Sequence, residues 1–261
     1  MTRAILAGTG ALPWLVLEAG PAEIITFAGT RADLPFGVTH KEVHFEEFGG
    51  LIKRLLDRGV TEVCLAGGIT RPSLDPSRMD VETQALMPRL VPVLQGGDDG
   101  ILREVLAILE EAGFAIRAAQ DLRPDLIATP RLRIGTPTAG QRTDAARARD
   151  VLRALGPLDV GQGAVASRGQ ILGIETAQGT DAMLRFVAET SPQSGGVFVK
   201  RPKPDQDRRV DLPAIGPATI AHAAEAGLSG IEVAAGAVLL LGPEAVAEAA
   251  EGFGISLWTE P

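Results

Sequence analysis

Residues 200–216 read KRPKPDQDRRVDLPAIG and hold five cationic side chains and three aspartates. The stretch follows an apolar run, VFV, and closes on Gly216-Pro217, where a helix can start. Positive charge packed around one carboxylate suits chemistry on a phosphate. The cations neutralise phosphate oxygens, while the carboxylate holds a divalent cation or orients water. Lys200, Lys203, Arg208 and Arg209 would supply the positive potential around Asp211, and arginine adds a planar fork that matches phosphate oxygens. For Arg201, Lys203 and Arg208 a solvated loop is the competing reading.

Other carboxylates widen the choice. Mg²⁺ takes only one or two protein carboxylates and completes its octahedron with phosphate oxygens and water, so its trace in a sequence is faint. Asp181 in QGTDAM, Glu175 and the pair Asp98-Asp99 are candidates beside Asp211. Asp98 or Asp99 would equally cap the helix that follows. Asp181 opens a helix whose free amides favour an anion, either its own carboxylate or a ligand phosphate.

Glycine pairs mark two further loops. Gly8 and Gly10 in LAGTGALP lie between a first strand and a first helix, and Gly67 and Gly68 in AGGITRP end another strand. Backbone amides at such strand ends can cradle phosphate. The third glycine of a dinucleotide fingerprint is missing, however, and EIITFAGTR lacks the acid that would bind a ribose. An NADP-dependent reductase using Gly8, Gly10 and Arg31 is therefore disfavoured. The chain has no GK[ST] sequence for a P-loop and only three histidines, His40, His44 and His222, too few for a dimetal site built on histidine. His222 sits in an Ala-rich helix and reads as structural. Cys64, the only cysteine, lies in the apolar run EVCLAGG and reads as an inert core thiol.

The elements that must carry these residues alternate strand and helix. AILAG, EIITFAG, EVCLAGG and FAIRAA are short β-branched runs, separated by helical patterns over 12–19, 48–58 and 99–112. This is a βαβ rhythm, hence a Rossmann-like domain with a parallel sheet. The second helix presents Phe48, Leu51, Ile52, Leu55 and Leu56 on one face. Residues 123–140 contain three prolines and no clear period, so the domain boundary falls there: a first domain over 1–123, a linker over 124–140 and a catalytic α/β domain over 141–261. In the second half a helix over 144–155 precedes GAVASRGQILGIE, a hairpin turning at RGQ. A helix opening at GTDAML, the strand GVFVKR, a helix over 217–226, the strand AVLLL, a helix over 243–251 and ISLW complete the order.

The whole composition agrees with an α/β protein. Of 261 residues, 45% are hydrophobic and only 4% aromatic, with no tyrosine, which argues against an aromatic stacking platform. A net charge of −8 argues against a nucleic-acid partner, since phosphate backbones require extended basic faces. The N-terminal MTRAILAGTG lacks the long apolar core of a secretion signal, and no apolar stretch is long enough to span a bilayer. A soluble, cytoplasmic protein is expected.

Five segments together carry a resemblance: AGTGALP, FGGLIKRLLDRGVTEVCLAGGITRP, GDDGILREV, LDVGQGAVASRGQILGIETAQGTDAMLR and KRPKPDQDRRVDLPAIGPATI. In order, they resemble the LpxI family of UDP-2,3-diacylglucosamine pyrophosphatases over nearly the whole chain. The resemblance implies a two-domain hydrolase of lipid A biosynthesis in a Gram-negative bacterium. With Mg²⁺ it would cleave UDP-2,3-diacylglucosamine to lipid X and UMP by attack of water on the β-phosphorus, its substrate held between the domains. The essential aspartate falls on Asp211; Asp181, a candidate from its place at a helix start, is the second expected metal ligand. Gly8, Gly10, Gly67, Gly68, Gln162, Thr180, Asp181, Lys200 and Arg209 become the expected substrate-binding residues. The implied surroundings are the cytoplasmic face of the inner membrane and a second copy of the chain in a homodimer. The chain departs from the family pattern in a short ETSPQSGGVFVKR and in GGDDG, where alanine commonly follows the aspartates. A carrier that binds the lipid nucleotide without cleaving it is the remaining rival.

Overall fold

The computed structural model describes residues 2–69, 73–94, 98–204 and 206–261. The chain divides into two units, Met1–Pro124 and Asp125–Pro261.

In the first unit β1 (Thr2–Ala7), β2 (Glu23–Phe27), β3 (Lys41–Val43), β4 (Val60–Ala66) and β5 (Ala115–Ile116) form one sheet in the order β3-β2-β1-β4-β5. Every pair is parallel, so each crossover must pass over a face of the sheet. Helices α1 (Leu12–Leu17), α2 (Phe48–Asp57), α3 (Val81–Leu94) and α4 (Asp98–Glu111) lie in these connections, and α5 (Ala119–Leu122) follows β5. Ile5, Ile24, Ile25, Val63 and Cys64 are buried in the sheet's core. On α2 the expected face holds at Phe48, Leu51, Ile52 and Leu55, while Leu56 turns outward at 42% exposure.

Two helices escape the sequence reading, the four-residue α5 and the longer α3. With Pro88 and Pro92 inside it, α3 lacks two backbone donors, which obscures it in sequence. Its start is supplied by Asp80, whose Oδ1 accepts from the Thr83 amide at 2.7 Å. The same two residues fasten α3 to α2: the Thr83 hydroxyl accepts from the Gly49 amide at 2.8 Å and Asp80 Oδ2 from that of Gly50 at 3.0 Å. A Cβ on Gly49 would lie 2.4 Å from the Glu82 backbone, so only glycine admits this approach.

The second unit holds β6 (Arg133–Ile134), α6 (Ala139–Leu155), β7 (Gly163–Ser167), β8 (Gln170–Ile174), α7 (Gly179–Thr190), β9 (Val197–Lys200), β10 (Ala214–Ile215), α8 (Pro217–Glu225), β11 (Gly230–Ala234), β12 (Leu239–Leu240), α9 (Pro243–Phe253) and β13 (Ser256–Glu260). Six strands form a mixed sheet ordered β6-β13-β11-β9-β7-β8, and β10 pairs with β12 beside it. The strands β13, β11 and β9 run parallel. The hairpin β7-β8 enters antiparallel to β9, its turn at Arg168 and Gly169, both at positive φ.

The stretch expected as a linker over 124–140 differs from that expectation from Asp125 onward. Ile134 and Arg133 pair with Leu257 and Trp258 of β13, and α6 starts at Ala139 rather than 144 because Thr138 and Gln141 make a capping box. Its prolines fit an edge segment as well as a linker. The strand β11 was also absent from the sequence reading, since GIEVA is short and carries a glutamate that is buried here. The predicted strand at AVLLL shrinks to Leu239–Leu240.

The two sheet faces bury different partners. Ala164, Ala166, Val197, Val199 and Trp258 meet Ala145, Ala148 and Leu152 of α6. On the opposite face Val165, Phe198, Ile231 and Val233 join Leu184, Ile220 and Val246, from α7, α8 and α9. Because strand side chains alternate, Lys200 follows Phe198 toward the α7 face and Arg201 follows Val199 toward α6.

Candidate active site

The loop that carries Asp211 connects the two faces. It leaves β9 at Arg201, and near its start Pro204 lies against Gly156 at the end of α6, where a Cβ on that glycine would come within 2.4 Å of the proline ring. It ends at β10, whose Ile215 is buried in the α8-side core. Both β9 and β11 finish here, so Asp211 lies at the carboxyl ends of parallel strands, where open α/β sheets gather ligands. Inside the loop the amides of Val210 and Asp211 donate to the Asp207 carbonyl, each at 3.2 Å, which forms a tight turn. The Asp211 carboxylate accepts from the Gln206 side-chain amide. Gln206 is buried, and its Oε1 accepts in turn from the Lys203 amide at 3.1 Å. Gln206 thus orients Asp211 from behind and leaves the carboxylate half-buried. Sequence reading missed Gln206; its only signal was an uncharged residue inside a run of charges.

Lys200 is not a free phosphate ligand. It is buried, and its ammonium donates to Glu175 Oε1 and Oε2 at 2.9 and 2.6 Å and to the Thr180 hydroxyl at 2.7 Å. Glu175, a candidate metal ligand by sequence, is the counter-ion of this pair. Its place is shaped by glycine: a Cβ on Gly161 would lie 2.0 Å from the Glu175 carbonyl oxygen, and one on Gly163 2.4 Å from Oε2. The cluster ties the ends of β8 and β9 to the first turn of α7. Gln162 stands beside it, its carbonyl accepting from the Arg201 amide at 2.9 Å.

Arg209 likewise has a carboxylate partner. Its Nε and Nη2 reach Asp207 at 3.0 and 2.7 Å. Asp181 is 56% exposed in the first turn of α7, its Oδ1 3.2 Å from His222 Nδ1. That geometry is not a hydrogen bond, and the His222 nitrogen stays buried without a partner. The structure therefore brings Gln162, Thr180, Glu175 and Lys200 together and places Asp211 with Gln206. Among the described residues no group of three or more His, Cys, Asp and Glu side chains converges as a metal cage.

The glycine loops of the first unit do something else. The Gly8 amide donates to the Ala66 carbonyl and the Thr9 amide to that of Gly68, both at 2.7 Å, and the Gly68 amide donates back to Thr9 at 3.3 Å. A Cβ on Gly8 would lie 2.4 Å from the Gly68 carbonyl oxygen, and one on Gly67 2.4 Å from that of Thr9. Gly10 and Gly67 both take positive φ, at 84° and 89°. The loops after β1 and β4 are stitched together, so the amides of Gly8, Thr9 and Gly68 are spent on protein carbonyls rather than left for a phosphate. Arg31 lines a separate hollow of about 330 Å³ with Thr26, Thr30 and His40. Cys64 is buried at the centre of β4, and burial pushes its thiol up to about 12, as expected of an inert core thiol. The Asp98 and Asp99 side chains, and Thr70 to Pro72 of the second glycine loop, lie outside what the structure describes.

Comparison with known proteins closes the question of kinship. The LpxI N-terminal domain matches residues 2–126 and the LpxI C-terminal domain residues 131–258. The UDP-2,3-diacylglucosamine pyrophosphatase LpxI of Caulobacter vibrioides is 39% identical over 268 aligned positions, covering 96% of this chain and 94% of that protein. The chain belongs to the LpxI family. Both LpxI domains are present, each on one of the two α/β units. Among the described residues no helix is long and apolar enough to cross a membrane.

Proposed function

We propose that this protein hydrolyses UDP-2,3-diacylglucosamine to lipid X and UMP in lipid A biosynthesis, at the carboxyl-end loop that carries Asp211. The observation behind this reading is the 39% identity, over almost the full length of both chains, to a pyrophosphatase named for that substrate. The reaction forms a bond between a water oxygen and the β-phosphorus and breaks the bond from that phosphorus to the bridging oxygen. UMP leaves with the bridging oxygen, and the water's proton passes to solvent.

Asp211 suits Mg²⁺ as a sole protein carboxylate, because the ion completes its shell with phosphate oxygens and water. A half-buried carboxylate held from behind by an amide fits that use better than a cage of several acids would. When bound, the cation would neutralise phosphate charge and polarise the phosphoryl oxygens. Asp211 either carries it or orients the attacking water, and Gln206 fixes the carboxylate's direction for both. The Lys200–Glu175 pair stiffens the strand end from which the loop departs. Asp181 remains a second candidate for the cation, through its exposure at the start of α7. A cytoplasmic site of action facing the inner membrane follows from the lipid substrate.

Hydrolysis in ¹⁸O-labelled water tests this reading directly. Label is expected in lipid X, and label in UMP would place attack on the α-phosphorus instead. Chelation should stop turnover and added Mg²⁺ restore it, whereas undiminished activity in chelator would remove the metal from the reaction.

A further inference from the structure

On the α6 side of the second unit, the same strand ends open into a pocket of about 320 Å³. Arg149, Arg153, Arg201, Lys203 and Arg208 line it, drawn from two segments of the chain. Arg149 and Arg153 lie four residues apart on α6 and so emerge on one side of it. Arg201 is the first residue beyond β9, and Lys203 and Arg208 belong to the Asp211 loop. Alternation along β9 sends Arg201 here and Lys200 to the other face, so this pocket is separate from the buried Lys200–Glu175 cluster.

Among the described residues, carboxylates meet several of these cations. Arg149 reaches Glu232 Oε2 at 2.5 Å, and the indole of Trp258 donates to the same oxygen at 3.1 Å. Glu232 is 1% exposed, and its other oxygen lies 4.0 Å from Arg201 with no hydrogen bond. Lys203 meets Asp159, and Arg153 meets Asp150 at 2.9 Å out in solvent, where such a pair contributes little. Arg201 donates to the Pro261 carbonyl oxygen. Burial, together with the nearby charges of Arg149 and Arg153, holds the Arg201 pKa below its ordinary value despite Glu232. An anion entering the pocket would relieve that repulsion.

We propose that this pocket is a binding site for a phosphate ester of nucleotide size, namely the UMP portion of the substrate and the UMP released from it. Several arginine forks converging from a rigid sheet edge are suited to phosphate oxygens. A volume near the lower end of the range for small-molecule sites, ~300 Å³, accommodates a mononucleotide but not two acyl chains. Pro202, Pro204, Ala234 and Ala237 add an apolar wall on which a flat base can rest. The Lys203–Gln206–Asp211 hydrogen-bond chain couples the pocket to the candidate catalytic carboxylate, so a nucleotide seated here sets the position of the loop that acts on its diphosphate. The choice of a uridine nucleotide rests on the proposed function; the choice of a phosphate ester rests on the pocket.

The test is calorimetric titration of the intact protein with UMP, uridine and inorganic phosphate. UMP is expected to bind at least tenfold more tightly than either of the others and to weaken as salt is raised. Arg153→Glu and Arg208→Gln, both at exposed positions, should each weaken UMP at least fivefold, with folding verified by an unchanged melting temperature. Equal UMP affinity in the arginine variants would overturn the site, and phosphate binding as tightly as UMP would overturn the nucleotide assignment. Because UMP is titrated alone, a protein that bound UMP here yet left UDP-2,3-diacylglucosamine intact would uphold the pocket and sink the proposed activity.

Discussion

The two units carry parallel strands whose carboxyl ends meet opposite fates. After β1 and β4 of the first unit, backbone amides and carbonyls of Gly8, Thr9, Ala66 and Gly68 satisfy one another, and glycine is required because no Cβ fits between the loops. After β9 of the second, the chain departs at Arg201 in a connection dense in charge and leaves a cationic pocket beside it. The same strand-end position is therefore closed where small residues let backbones pair, and bordered by an open pocket where a charged connection departs. A glycine pair after a strand signals close backbone approach; whether the approaching partner is phosphate or protein is decided by what the neighbouring loop offers.

This contrast is breakable, most forcefully at Lys200. In Lys200→Met the Glu175 carboxylate, 12% exposed, loses its buried partner, and a destabilisation of about 3–5 kcal/mol is expected by thermal or denaturant unfolding. A change below 1 kcal/mol would show the cluster to be solvated and return Lys200 to the ligand-binding set. Asp211→Asn should lower turnover on the order of 10²-fold while the melting temperature stays within a few degrees, since its volume and its contact with Gln206 are retained. A variant that unfolds instead would make Asp211 a structural residue.

In the first unit the effects should register as stability. Gly67→Ala places a Cβ 2.4 Å from the Thr9 oxygen at a φ of 89°, and a loss of about 1–3 kcal/mol follows. Unchanged stability would mean the stitched loops open freely. The smallest effect belongs to Thr9→Val, which removes a 3.1 Å hydroxyl bond to the Gly68 carbonyl on an exposed loop and should cost about 0.5–1 kcal/mol. The companion measurement is amide exchange: Gly8 and Thr9 should be protected in the absence of any ligand, and fast exchange at both would reopen their role in phosphate binding.

Much of the scaffold was legible because local rules and tertiary demands agreed. The βαβ rhythm, the apolar face of α2, the hairpin turning at Arg168-Gly169 and the helix starting at Pro217 each rest on short-range chemistry: β-branched runs, a 3.6-residue period, a positive-φ glycine, a proline at a first helical position. Where long-range contacts overrode local preference, the reading failed. Pro88 and Pro92 masked α3, whose start depends on Asp80 and on contacts with Gly49 and Gly50 that span 34 and 30 positions. Residues 125–140 looked like a linker because an edge strand as short as Arg133–Ile134 gains its identity only from β13.

The sequence alone determined which residue types were at hand: a run of five cations around Asp211, too few histidines and cysteines for a transition-metal cage, and motifs specific enough to indicate the family. Tertiary structure alone decided how those charges are spent. Lys200 and Arg201 are neighbours in sequence, yet strand alternation turns one into a buried counter-ion of Glu175 and the other toward Arg149 and Glu232. Sequence spacing specifies the side of a strand, but the partner that waits there comes from residues 25 to 52 positions away. Coulomb attraction and desolvation act on distance in space, and only the folded chain sets that distance.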